Sequence, residues 1–241
     1  MGKTRFGVSA FWDFTTSQPI RKGVWVKIGA EDNIALDIPD KFVKRFASDS
    51  ESPLRFISEL KVFLKRVILD GRKGKGLEVI VLDGFTEWLV NFETGYGKVY
   101  GGDDKWGLWR ELKSEFIQLM QLIKPADTGA WLIATARLKR ASESDPEWME
   151  EKYVPSMDGW AKDNIGYYFD AVLYMSIQER NEKGKLIPDY SLYMLPRKGY
   201  WIKDVWGERW MELGLPNPVK NPSFEQVKGM LEGEKEDGKS G

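Results

Sequence analysis

The stretch "LEVIVLDG", residues 77–84, is a nearly unbroken apolar run that ends in an acid, Asp83. Continuous rather than alternating apolar character predicts a strand buried on both faces, as in a parallel sheet. A second run of this kind, "GAWLIATAR" at residues 129–137, carries polar residues at its end, among them Thr135. Helical spacing from Trp106 to Lys124 separates the two runs. Strands that alternate with helices predict an α/β fold with a mainly parallel sheet flanked by helices.

The flanking segments extend this pattern toward both ends of the chain. Further strands and helices are predicted from apolar spacing and β-branched content, in this order: a short helix at Thr4–Phe14, a strand at Val24–Ile28, an amphipathic helix at Pro53–Leu69, and strands at Phe169–Ile177 and Tyr190–Leu195. The last strand alternates apolar and polar residues, which favours antiparallel pairing near the C-terminus. A final helix begins at Ser223, with Gln226 placed for a capping box. The polar tail, residues 233–241, is expected to be disordered.

Composition narrows the chemistry. The 241 residues include no Cys and no His, which excludes disulfides, thiol nucleophiles and imidazole bases. Oxygen ligands remain, so Mg²⁺ is the natural metal. The formal net charge is -1, and any nucleic-acid surface must therefore be local. Without a signal-peptide pattern or an apolar run of about 18 residues, the chain is expected to be cytoplasmic.

Three features follow one another in the order that a P-loop ATPase needs. Gly2-Lys3-Thr4 matches the end of G-x-x-x-x-G-K-[ST] and leads into a predicted helix. Asp83 ends one buried strand and Thr135 ends the next, where a magnesium-shell acid and a phosphate sensor are expected. Each feature also has a structural interpretation. Asp83 suits a helix cap equally well, Thr135 suits ordinary strand composition, and Lys3 suits a frayed terminus.

Taken together, the motifs resemble phage-encoded ATP-binding proteins with a minimal RecA-like core, a group that includes single-strand annealing recombinases. The matching pieces are "GKT", "LEVIVLDGFTEWL", "GAWLIATAR", "VPSMDGWAKDNIGYYFDAVLYM" and "YSLYMLPRKGYWIKDVWG". The resemblance implies one RecA-like P-loop core over residues 1–232, which binds ATP and Mg²⁺ between adjacent subunits. The family has an upstream strand and the first half of the phosphate loop, so residues 1–232 are expected to be an N-terminally incomplete core.

The resemblance also assigns roles to individual residues. It assigns phosphate and Mg²⁺ binding to Gly2, Lys3, Thr4 and Asp83, of which Thr4 and Asp83 would contact the metal. Glu31 would orient the attacking water, and Thr135 would sense the phosphate. Lys203 would contact the nucleotide of a neighbouring subunit. A surface acid in a turn is the alternative for Glu31. The family often has K-x-R in the late turn, and Val205 replaces that Arg here, which favours slow hydrolysis. Arg137 stands where the family usually has His.

Single-stranded DNA is the expected macromolecular partner. RecA-like proteins bind DNA through the loops after the Walker-B helix and after the sensor strand. The corresponding basic and aromatic residues are Tyr96, Lys98, Arg137, Lys139 and Arg140. Other copies of the chain and a single-stranded DNA-binding protein are the further partners expected. Two alternatives stay open: a non-hydrolysing DNA-binding or annealing module of the same fold, and an inactive truncated product.

Overall fold

The computed structural model describes residues 2–28, 36–46, 55–73, 76–87, 90, 94–95, 97, 105–123, 130–140, 153–155, 168–195 and 206–232. The chain divides into two compact units, each treated separately below. The sheet unit comprises residues 10–137 and 155–168, and the hairpin unit comprises residues 1–9, 138–154 and 169–241.

Five helices and eleven strands are bounded within the described ranges. The helices are α1 Gly2–Val8, α2 Arg55–Arg72, α3 Lys105–Ile123, α4 Gly207–Glu212 and α5 Phe224–Glu232. The strands are β1 Trp12–Asp13, β2 Gln18–Pro19, β3 Gly23–Ile28, β4 Val43–Phe46, β5 Val79–Asp83, β6 Trp131–Ala134, β7 Leu138–Arg140, β8 Tyr153–Pro155, β9 Tyr174–Glu182, β10 Lys185–Tyr193 and β11 Val219–Lys220.

A four-stranded parallel sheet forms the centre of the sheet unit. Its order is β4-β3-β5-β6, and every neighbouring pair runs parallel. All of β3 and the first four residues of β5 are buried, as expected for strands covered on both faces. In contrast to the prediction of a second fully buried strand, β6 is only half-buried, and Trp131 is 38% exposed. The physical reason is its position at the end of the sheet, as far as the described residues show.

Helix α2 covers the sheet unit with one apolar face. Ile57, Leu60, Leu64 and Val67 are buried at three- and four-residue spacing, which is the period of a helix packed along one side. Across to α3, Lys61 forms an ion pair with Glu115, and both side chains are largely buried. The prediction of helices around a mainly parallel sheet is therefore confirmed.

The hairpin unit contains the antiparallel strands expected near the C-terminus. Strands β9 and β10 pair antiparallel over nine residues each, and β11 adds to β10. One apolar cluster stabilises the unit, and its buried members are Leu192, Met194, Trp210, Val219 and Val227. The indole of Trp210 is fully buried and donates a hydrogen bond to the carbonyl of Pro216 at 3.1 Å. A buried polar atom is thus satisfied inside an apolar cluster.

Two serines form hydrogen bonds at helix ends in the hairpin unit. Ser223 precedes α5 and accepts a hydrogen bond from the backbone of Gln226 at 3.1 Å, which confirms the predicted helix start. Ser9 follows α1; its hydroxyl donates to the carbonyl of Phe6 at 2.6 Å and accepts from the backbone of Phe224 at 2.8 Å. Because the hydroxyl occupies the carbonyl that another helical turn would use, α1 ends at Val8 rather than at the predicted Phe14.

Candidate functional site

The ends of β5 and β6 bring Asp83 and Thr135 together. The Thr135 hydroxyl donates to Asp83 Oδ1 at 2.5 Å and accepts from the backbone of Gly84 at 3.2 Å. The backbone of Thr135 donates to Leu82 at 2.9 Å and accepts from Phe85 at 2.9 Å. Thr135 is therefore fixed from several directions at the carboxyl edge of the sheet, where open α/β sheets bind ligands.

The second oxygen of the Asp83 carboxylate has its own donor. The indole Nε1 of Trp25, on β3, donates to Asp83 Oδ2 at 3.2 Å. Trp25 is only 2% exposed, so the donor comes from inside the protein. These two donors, one to each oxygen, fix the direction of the carboxylate.

A buried cation stands beside this carboxylate in the sheet. Lys27 is the direct register partner of Asp83 across β3 and β5, and it is 8% exposed. Its Nζ lies 5.1 Å from the centroid of the Trp25 ring, within the range of a cation–π interaction. Sequence reasoning missed both Trp25 and Lys27. A lysine within an apolar strand was the available signal, because lysine is rarely buried without a specific partner.

Gly84 makes the turn that follows β5. Its φ is +87°, a backbone conformation that residues with a β-carbon rarely adopt. A β-carbon placed there would lie 2.6 Å from the carbonyl oxygen of Ile28, at the end of β3. Gly84, the residue after Asp83, therefore lets the chain turn out of β5 close to the end of β3. The helical residues 85–87 follow this turn.

The segment after β6 is held to the helical turn after β5. The backbone of Arg137 donates to the Thr86 hydroxyl at 3.0 Å, and its guanidinium forms an ion pair with Glu87. The Glu87 side chain is largely buried, whereas that of Arg137 is more than half exposed. Arg137, predicted to contact nucleic acid, thus has a structural contact and also reaches solvent.

The other predicted site residues belong to the hairpin unit or fall outside the described residues. Gly2, Lys3 and Thr4 belong to α1 of the hairpin unit, where Thr4 is buried and Lys3 is exposed. Gly2 lies against the ring of Tyr190 so closely that a β-carbon would stand 2.1 Å from Tyr190 Cδ1. Lys139 and Arg140 lie in β7. Glu31, Tyr96, Lys98 and Lys203 lie outside the described residues.

Within the described residues, no three acidic side chains gather into a metal-binding cluster. A single carboxylate with nucleotide phosphates and water is nevertheless a normal donor set for Mg²⁺, which keeps several waters when bound. None of the described helices has the length and apolar character to cross a membrane.

Comparison with known proteins gives one family. A family model described as AAA domain matches residues 39–204, which is more than half of the chain and includes Asp83 and Thr135. No curated protein matches the chain.

Proposed function

The chain belongs to the AAA domain family of nucleotide-binding ATPases, and on that premise we propose that it binds and hydrolyses ATP at the carboxyl edge of its parallel sheet. One observation carries this proposal: the carboxylate of Asp83 lies at that edge with a hydrogen-bond donor on each oxygen. A metal-binding acid needs a fixed direction, and these two donors supply it. Asp83 is the residue proposed to hold Mg²⁺.

Thr135 and Glu31 complete the proposed reaction. Thr135, whose hydroxyl is already shared between Asp83 and Gly84, would respond to the terminal phosphate, and Glu31 would orient the attacking water. Bound Mg²⁺ would neutralise charge on the phosphates during transfer. The phosphate-binding roles of Gly2, Lys3 and Thr4 stay predictions from the sequence.

We further propose that hydrolysis is coupled to single-stranded DNA in phage recombination or replication. The support is the resemblance of the quoted motifs to single-strand annealing recombinases, together with the basic and aromatic residues Tyr96, Lys98, Arg137, Lys139 and Arg140. Lys203 would serve the nucleotide of a neighbouring copy, which makes the active form a homo-oligomer. A single-stranded DNA-binding protein would be a further partner.

The second candidate is a DNA-annealing module of the same fold that binds ATP without hydrolysing it. Val205, in place of the usual Arg, favours it, because Lys203 alone cannot grip phosphate in a bidentate way. The two candidates differ in turnover. Phosphate release that rises per chain with protein concentration supports hydrolysis at shared sites, whereas ATP binding and DNA annealing without any release support the module.

Thr135→Val is expected to lower Mg²⁺-dependent ATP hydrolysis by at least about tenfold, because the hydroxyl that orients the Asp83 carboxylate is removed. Phosphate release at saturating ATP is the measurement, and titration with a fluorescent ATP analogue checks that nucleotide still binds. Thr135→Ser is the matched control, since it keeps the hydroxyl that bridges Asp83 and Gly84. Equal rates for the two variants would contradict a role for the hydroxyl.

Reversing the charge of Lys139 and Arg140 together is expected to weaken binding of a fluorescent oligothymidylate by at least about tenfold. It should also reduce the slope of log affinity against log salt by about 1.4, because two phosphate contacts are lost from a single strand. Lys65→Glu with Arg66→Glu is the matched control, since this Lys-Arg pair lies exposed on α2. The DNA proposal fails if both double variants bind like the unmodified chain.

A further inference from the structure

We infer that Trp25 is a positioning residue that orients the metal-binding carboxylate of Asp83 through its indole N–H. The inference rests on the proposed function, since it assigns Asp83 to Mg²⁺, and it adds a residue that no sequence motif indicates. The starting observation is the 3.2 Å hydrogen bond from Trp25 Nε1 to Asp83 Oδ2, between residues 58 positions apart in the chain.

The indole is itself held firmly. Trp25 lies within the fully buried strand β3, and its backbone is in register with Val81 of β5 and Val43 of β4. The ammonium of Lys27 lies 5.1 Å from the ring centroid and adds a contact to its face. With its backbone fixed by both neighbouring strands, its ring buried and a cation over the ring face, Trp25 holds its N–H toward Asp83.

The effect on Asp83 follows from the geometry of its two oxygens. Thr135 donates to Oδ1 and Trp25 donates to Oδ2, so rotation of the carboxylate about its last bond breaks both bonds. Groups that orient a metal ligand typically change metal affinity by about 10- to 100-fold when removed. Thr135 follows β6, which pairs with β5 on one side, whereas Trp25 lies in β3, which pairs with β5 on the other side.

The chain contains a matched control for this indole. Trp12 lies in the same sheet unit and is 3% exposed, close to the 2% of Trp25. Its Nε1 is buried and has no hydrogen-bond partner among the described residues. Replacing either residue with Phe removes a similar volume and one buried N–H, but only Trp25→Phe removes a hydrogen bond to Asp83.

The test measures the Mg²⁺ concentration that gives half-maximal binding of a fluorescent ATP analogue to the full chain. We expect Trp25→Phe to raise that concentration about tenfold, with little change once Mg²⁺ saturates, and Trp12→Phe to leave it unchanged. If Asp83→Asn abolishes Mg²⁺-dependent binding while Trp25→Phe titrates like the unmodified chain, the positioning role is overturned and the proposed function stands. If Asp83→Asn leaves Mg²⁺-dependent binding intact, the metal role of Asp83 fails, and the inference fails with it.

A second measurement does not depend on nucleotide. The indole N–H of Trp25 gives its own NMR signal, identified as the one that disappears in Trp25→Phe. We expect this signal to exchange slowly with deuterium and to shift in Asp83→Ala, which removes the acceptor, while the Trp12 signal stays in place. An unshifted Trp25 signal in Asp83→Ala would overturn the inference by itself.

Discussion

Replacing Asp83 with Asn is expected to reduce Mg²⁺-dependent ATP hydrolysis by the full chain at least about 100-fold, because the metal loses its only proposed charged protein ligand. The free energy of unfolding should change by less than about 1 kcal/mol, since Asn is also a good helix cap. The local hydrogen bonds support this small change. The Asn amide oxygen can accept from Trp25, and its amide nitrogen can donate to the Thr135 hydroxyl.

Asp40→Asn provides the control for the loss of one negative charge. Asp40 lies in the same unit, is largely exposed, and pairs with Arg45 at 3.1 Å. Phosphate release and thermal unfolding would be measured for both variants. Full activity in Asp83→Asn together with a lowered melting temperature would show that Asp83 only caps the helix that follows it.

Gly84→Ala is expected to lower the free energy of unfolding by about 2–4 kcal/mol. A residue with a β-carbon costs about 1–3 kcal/mol in this backbone region, and here the β-carbon also meets the carbonyl of Ile28 at 2.6 Å. Backbone shifts that relieve this contact also move the amide that donates to Thr135. Hydrolysis should therefore fall in the folded fraction as well.

Gly184→Ala separates the two causes of this loss. Gly184 has a similar φ of +81°, but nothing lies within 4 Å of the position of a β-carbon. Gly184→Ala should lower the free energy of unfolding by about 1 kcal/mol, from backbone strain alone. Urea denaturation of the two variants gives the comparison, and equal losses would mean that the approach of Ile28 contributes nothing.

The sheet was predicted well because its central strands are rich in apolar and β-branched residues. The apolar run that became β5 is continuous, and a continuous run indicates burial on both faces. Asp83 and Thr135 were predicted to be neighbours because parallel strands end at one edge. Periodicity carries no information on where a strand stands within a sheet, so the half-exposed β6 was predicted as fully buried.

Contacts between distant residues were beyond sequence reasoning. The bond from Trp25 to Asp83 depends on the register of β3 against β5, which apolar content does not specify. The early end of α1 depends on the Ser9 hydroxyl, which donates to the carbonyl of Phe6 and accepts from the backbone of Phe224, 215 positions away. Roles assigned to Glu31, Lys98 and Lys203 stay predictions, because these residues lie outside the described ranges.

The hydrogen bond from the backbone of Phe224 to Ser9 bears on the order in which the two units can fold during synthesis on the ribosome. All residues of the sheet unit have been translated by position 168, whereas the hairpin unit needs α1 to meet strands and helices that extend to Glu232. Chains emerge at about 5–20 residues per second, and contacts between distant residues close slowly. The parallel sheet can therefore form while Phe224, the hydrogen-bond partner of Ser9, is still unmade, and α1 completes its contacts only after the sheet unit has been translated.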